Sequence, residues 1–342
     1  MRKGLILALI MAVALVMMTA YGGSSSESEQ AAEPSGDATV IKIGHVTPED
    51  HALHQAFLKF KDAVEEESGG ELTVEIYPNG ELGSERQLLE AVNLGTIQIT
   101  NVSISNFEQY DKKFGIMSLP FLHDSQENME NAITGEFGQM FLDWMEEYGF
   151  YGLGYDYSGA RSISSNVQPI ESIEDMKGLK IRVMESDTFV EMFKLMGANP
   201  TPMSFTEVYT ALQQGTVDAQ DNPPMDTYTS KFYEVQKYYS LTKHVYSNCA
   251  NVANLDFINS LSDENREIVI KNAKKWLQDW VRAQETEQEA EYVTQINDAG
   301  CVVNELSPEN LKAFKDAVAP MYDKMREEVG DEVMDKALEL AN

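Results

Sequence analysis

Ala91-Val92-Asn93-Leu94-Gly95-Thr96-Ile97-Gln98 returns later in the chain as Ala211-Leu212-Gln213-Gln214-Gly215-Thr216-Val217-Asp218. In each copy a helical run stops at a glycine, the residue that best closes a helix in the left-handed conformation. A β-branched pair then opens a strand. Working back from the first copy, Val40–His45 alternates as a strand, and an amphipathic helix follows from about His51 to Ser68, ended by Gly69-Gly70. Leu72–Tyr77 alternates again, Pro78-Asn79-Gly80 is a turn, Ser84–Leu94 is helical, and Ile97–Val102 is the next strand. Around the second copy, Leu179–Val183 reads as a strand and Asp187–Met196 as a helix stopped by Gly197. Thr206–Gln214 is another helix and Val217–Gln220 another strand. Each run has the βαβ pattern of a parallel sheet with right-handed crossovers. The sequence therefore predicts two related α/β lobes.

The rest of the chain fits that frame. Ser262 can cap a long helix with Asn265 three residues on. Apolar positions Ile268, Ile270, Ala273, Trp276, Leu277, Trp280 and Val281 then carry it toward Gly300. Its length of roughly 45 Å, at ~1.5 Å per residue, exceeds what one lobe needs, so it is expected to brace both. Cys301–Asn304 reads as a further strand, and Asn310–Met325 and Asp331–Leu340 as closing helices. The expected ranges are 1–20 for an export signal, 21–38 for a spacer, 39–158 plus 247–286 for lobe I, and 159–246 plus 287–342 for lobe II. In open α/β sheets ligands bind beyond the carboxyl ends of strands, so the cleft between lobes is the expected site.

Composition narrows the partners. The chain carries 26 Lys or Arg against 56 Asp or Glu, a formal charge of −30. Nucleic acid is excluded on this ground, because phosphate neutralisation needs clustered cations. Arg2 and Lys3 precede an apolar run from Leu5 to Met18 that is short for a membrane span. With the Ser/Gly-rich stretch after it, this is similar to a lipoprotein leader, but Tyr21 stands where the lipidated cysteine would be. Export permits a disulfide between Cys249 and Cys301, but both lie in apolar contexts and two buried free thiols are the expected reading. His45, His51 and His54 lack the spacing and companions of a metal site, and no cofactor or metal is expected. The 17 Met and 15 Tyr read as core filling rather than a cofactor sign.

Against this acidic background two arginine segments stand out: Tyr157-Ser158-Gly159-Ala160-Arg161 and Lys177-Gly178-Leu179-Lys180-Ile181-Arg182-Val183. A fixed planar cation matches a carboxylate bidentately. The second segment continues as Gly197-Ala198-Asn199-Pro200, Pro202-Met203, Phe205, Glu207, Tyr209 and then Gly215-Thr216-Val217-Asp218-Ala219-Gln220-Asp221-Asn222-Pro223. This stretch resembles the solute-binding proteins of tripartite ATP-independent periplasmic (TRAP) transporters. The resemblance runs from about Ile41 to the final helix.

The resemblance implies a two-lobed clamp of the periplasmic-binding-protein kind, in the periplasm or on the outer face of the cell membrane. A monomer is expected, delivering an organic acid to a sodium-driven permease. It places the carboxylate-clamping arginine at Arg182, a second at Arg161, an asparagine at Asn222 and a pocket aromatic at Phe205. His45, Glu85 and Ser103 fall where the family meets the ligand's hydroxyl end. Leu241–Ser247 and Asn101–Phe107 resemble the sugar-acid branch, which favours a hexuronate, aldonate or keto-sugar acid. A C4-dicarboxylate, with Arg161 as second clamp, and a sensing domain for a signalling partner are the alternatives. Hydrolysis by Glu85 and Asp221 is the enzymatic alternative, but no nucleophile–base signature accompanies that pair.

Overall fold

In both copies the repeated phrase closes a helix and feeds a strand. A computed structural model describes residues 38–341 of the chain, so the expected signal, most of the spacer and Tyr21 lie outside the described residues. Gly95 has φ +73° and Gly215 φ +69°. The amide of Thr96 donates to Ala91 O and that of Thr216 to Ala211 O, both at 2.9 Å, while Gly95 and Gly215 donate to Val92 O and Leu212 O. This is one and the same helix stop, the Schellman motif.

The first run comprises β1 (Thr39–Gly44), α1 (Ala52–Glu67), β2 (Leu72–Tyr77), α2 (Glu85–Asn93) and β3 (Ile99–Ser103). After 3₁₀ turns come α3 (Gln126–Thr134), α4 (Glu136–Glu146) and the long strand β4 (Phe150–Ser165). The second run comprises β5 (Lys180–Val183), α5 (Asp187–Leu195), β6 (Asn199–Pro202), α6 (Val208–Gln213) and β7 (Ala219–Asn222). Then follow α7 (Pro224–Thr229), a second long strand β8 (Tyr238–Asn254) and α8 (Leu255–Ser260).

These strands join one mixed sheet in the order β2-β1-β3-β8-β4-β7-β5-β6. Each run places its strands in the same way: second, first, third, parallel to one another. Each third strand then pairs antiparallel with a long strand, β3 with β8 and β7 with β4. The fold is thus a two-lobed α/β clamp, with β4 and β8 paired antiparallel at its middle.

The long helical stretch is α9 (Asp263–Asn272), a π-helical segment (Ala273–Trp280) and α10 (Val281–Asp298). Ser262 caps it, accepting from Asn265 N. The π segment packs on α1 and β4, and α10 on α7, so the helix spans both halves of the sheet. Beyond it, β9 (Val302–Glu305) pairs with the start of β8, and α11 (Pro308–Val318), α12 (Pro320–Val329) and α13 (Asp331–Leu340) close the chain. The single helix expected over Asn310–Met325 is split before Pro320, whose ring and missing N–H interrupt a helix. Met117, Met192, Met196, Met325 and Met334 are buried in the largest core cluster. That cluster continues from α2 and the 3₁₀ turns through α4 and α5 to α13, across both arms of the sheet.

Cys249 and Cys301 are both free; the Cys301 thiol donates to Gln236 O at 3.1 Å. Among the described residues no helix is long and apolar enough to cross a membrane.

Candidate functional site

Strand ends and one bulge bring the polar side chains together. Asp156, Ser158 and Arg161 stand on β4. Asp156 and Arg161 are an odd number of positions apart, so an unbroken strand would place them on opposite faces. The register against β8 shifts between Tyr157 and Gly159. This bulge re-aims Arg161, and both side chains line one cavity. Gly159 has φ +114°, and a Cβ there would lie 2.8 Å from Pro223 Cβ. The small residues before Arg161 therefore admit Pro223, which follows β7. The space between these side chains, open solvent included, is about 520 Å³.

Arg182, on β5, is 1 % exposed. Its Nε and Nη2 both donate to Met203 O, at 3.0 and 2.8 Å. Among the described residues its Nη1 has no hydrogen-bond partner, although it is buried. Burial, and then Arg161 nearby, lower the guanidinium to about 10, so it is cationic at neutral pH. One face is fixed by backbone while the other retains an unmet donor.

Arg161 is matched from within. Its Nε donates to Asp221 Oδ2 at 2.6 Å, its Nη2 donates to Asp221 O, and its guanidinium lies 5.1 Å from the Phe189 ring centre. A second partner approaches the same acid from β8: His244 Nε2 lies 3.3 Å from Asp221 Oδ2. Burial alone would raise the Asp221 carboxyl, but Arg161 and His244 outweigh it and hold the group well below the carboxylate range. Both contacts fall on Oδ2, and the buried Oδ1 of Asp221 has no hydrogen-bond partner among the described residues.

Glu85 opens α2 and accepts the Ser103 amide at 2.8 Å. Burial of its carboxyl pushes the group up, opposed by Ser103 N–H and by Arg182. Ser103 and Phe205 line the cavity, Phe205 resting edge-on against Phe232 at 5.7 Å. Asn222 also lines it, as the last residue of β7 rather than part of a turn. Its side-chain amide donates to Gln220 Oε1 and its backbone carbonyl accepts the Tyr239 hydroxyl at 3.1 Å.

The structure brings Arg182, Arg161, Asn222, Phe205, Glu85 and Ser103 around this one cavity. His45 is placed apart. Its ring is fully buried, with Nδ1 2.9 Å from Thr47 Oγ1 and Nε2 3.1 Å from His54 Nδ1, and it stacks on Phe57. Burial, then His54 and His51, lower it to about 3, so it is neutral. Its neighbours Val46 and Thr47 reach the cavity instead. Among the described residues no group of His, Cys, Asp and Glu is arranged to hold a metal.

Several lining residues lie outside the sequence expectations. His51 caps α1 through Nδ1, which accepts Leu53 N–H, so Nε2 carries the proton toward Asp226 Oδ1 at 3.1 Å. In the sequence Asp226 is indistinguishable from an ordinary first-turn acid of a helix. Asp156 is 1 % exposed and accepts from Asn101 Nδ2 at 3.0 Å, leaving Oδ1 without a partner among the described residues. Its signal is Tyr155-Asp156-Tyr157, a lone acid between aromatics. A second cleft lies beside Glu108 and Lys324. There Glu108 already accepts from Ser186 Oγ at 2.5 Å and Thr188 N at 3.2 Å.

The sequence model described as bacterial extracellular solute-binding protein, family 7, matches residues 43–328. The sialic acid-binding periplasmic protein of Vibrio cholerae is 32% identical over 300 residues, 87% of this chain and 92% of that protein. The sugar acid binding protein of Advenella mimigardefordensis, solved with galactonate, superposes with TM-score 0.86 at 31% identity, covering 89% of this chain and 98% of that one. A TRAP periplasmic solute binding protein of Shewanella oneidensis, solved with succinate, gives 0.85 at 32% identity, covering 89% and 100%.

Proposed function

This chain belongs to the bacterial extracellular solute-binding protein family 7, and on that premise we propose that it is the exported receptor of a TRAP transporter whose solute is anchored by Arg182. The observation that carries the anchor is the unpartnered Nη1 of a guanidinium only 1 % exposed. A buried donor without a partner is costly, and a carboxylate in the cavity meets that need. Charge-assisted bonds of this kind contribute about 1.5–3 kcal/mol each. Arg161, Asn222, Phe205, Glu85 and Ser103 complete the shell, and closure of lobes 39–158 plus 247–286 and 159–246 plus 287–342 removes it from water. The closed form delivers the solute to a sodium-driven permease outside the cytoplasm.

The favoured solute is a sugar acid. The galactonate complex of a similar protein and the polar groups around Glu85 and Ser103 support that reading. The succinate complex of an equally similar protein supports a C4-dicarboxylate as the second reading.

Calorimetry on Arg182→Ala tests the anchor. Affinity for the cognate acid is expected to fall more than tenfold in the variant, measured below its melting temperature so that the loss reads binding and not unfolding. Near wild-type binding by that variant would remove Arg182 from the site.

A further inference from the structure

The cavity has two chemically different ends. Arg182 and Arg161 lie together at one, close enough that Arg161 depresses the Arg182 guanidinium. Arg161 is paired with Asp221, and Arg182 acts on Glu85 at a distance, so Nη1 of Arg182 is the donor that this end offers among the described residues. Asp156 lies on the order of 15 Å along β4 from Arg161, at ~3.3 Å per residue. The groups that act on it are different: Asn101 on β3, Cys249 on β8, Asp226 on α7 and Glu285 on α10. Glu285 is 2 % exposed, and neither of its carboxyl oxygens has a hydrogen-bond partner among the described residues. Burial raises both acids, Asp156 to about 8. Asp226 lines the cavity beside them with its carboxylate directed to His51. Among the described residues no Lys or Arg lines the cavity apart from the two arginines.

We propose that Asp156, backed by Glu285 and flanked by Asp226, is the specificity-determining residue of this site, recognising hydrogen-bond donors at the end of the solute remote from its carboxylate. The proposal rests on the reading of Arg182 as the carboxylate anchor, and the unpartnered Nη1 of Arg182 in the same cavity is its independent support. A solute with one carboxylate and a hydroxyl- or ammonium-bearing tail satisfies both ends. A second carboxylate at that end would be buried beside Asp156 and Asp226 with no Lys or Arg to meet it, a costly arrangement. The free Oδ1 of Asp156, held in place through Asn101, can accept from such a donor, and can also donate when protonated.

The test is titration calorimetry of the purified chain and its Asp156→Asn variant with D-galactonate, D-glucuronate, 4-aminobutyrate and succinate. At least one of the three donor-bearing acids is expected to bind tenfold or more tighter than succinate. Asp156→Asn is expected to cut that preference at least fivefold by weakening the donor-bearing acid while leaving succinate unchanged or improved. Tightest binding by 4-aminobutyrate identifies the donor as ammonium, and by either sugar acid as hydroxyl. Succinate binding as tightly as the best of the others, or an equal loss for every acid in the variant, overturns the subsite. If succinate binding is then lost in Arg182→Ala, the anchor stands without the subsite. No binding by any acid overturns the anchor itself, and the subsite with it.

Discussion

Arg182 and Arg161 share a charge and a cavity, yet their neighbours give them different tasks. Asp221 Oδ2 meets both Arg161 and His244, while Met203 O holds Arg182 and leaves Nη1 without a partner among the described residues. Both arginines are legible in the sequence as sparse cations in an acidic chain. Their division of labour is not, because it depends on which acid folds against which. Asp156 makes the same point for stability. Its carboxyl holds a proton more tightly folded than unfolded, being raised from 3.8 to about 8. Its stabilising contribution is complete below the unfolded value and is lost as pH rises through the folded one. Asp156→Asn removes this titration, so the variant is expected to gain on wild type as pH rises from 5 to 8. The gain should be roughly 3–4 kcal/mol, read as a Tm difference of several degrees. A Tm difference that stays flat over that range would show that Asp156 does not titrate there.

The β4 bulge decides which face Arg161 occupies. Gly159 permits it through φ +114° and through the close approach of Pro223. Gly159→Ala therefore strains the backbone and pushes against a rigid ring. Urea denaturation should show a loss of at least ~1 kcal/mol, since the native conformation excludes a side chain. Ligand affinity should fall with it, because the register of Arg161 depends on the bulge. Unchanged stability would mean that the strand accommodates a Cβ by local shift. Most elements are legible to within a residue or two, since helix stops and alternation are local signals. The long strands β4 and β8 are not: neither Phe150–Ser165 nor Tyr238–Asn254 carries a strand signal of its own. They are mostly buried and interrupted by bulges, so period-two alternation is lost. The edge strand β6 carries Pro200 and Pro202, which disguise it.

Two contacts join the first α/β run to the segments of the second. Arg86 Nη2 donates to Glu185 O at 2.9 Å, and His51 reaches Asp226. If the lobes close on solute as proposed, these contacts favour the closed arrangement before solute adds its own. Replacing both, as His51→Ala with Arg86→Ala, should enlarge the radius of gyration of the solute-free protein in X-ray scattering. It should also weaken binding several-fold, because a smaller closed fraction lowers apparent affinity in proportion. Saturating solute should restore the wild-type radius. Identical scattering of variant and wild type without solute would show that these contacts do not set the balance. Local periodicity and contiguous motifs suffice for the duplicated α/β runs, their helix stops, the bracing helix and the family, because each is written within a few turns of chain. Other outcomes needed the folded chain: His45 sealed against His54, Asp221 neutralising Arg161, and Asp156 facing the cavity with Glu285 behind it. They depend on burial and on partners distant in the chain, and the free energy of a buried charge is set by what surrounds it in space.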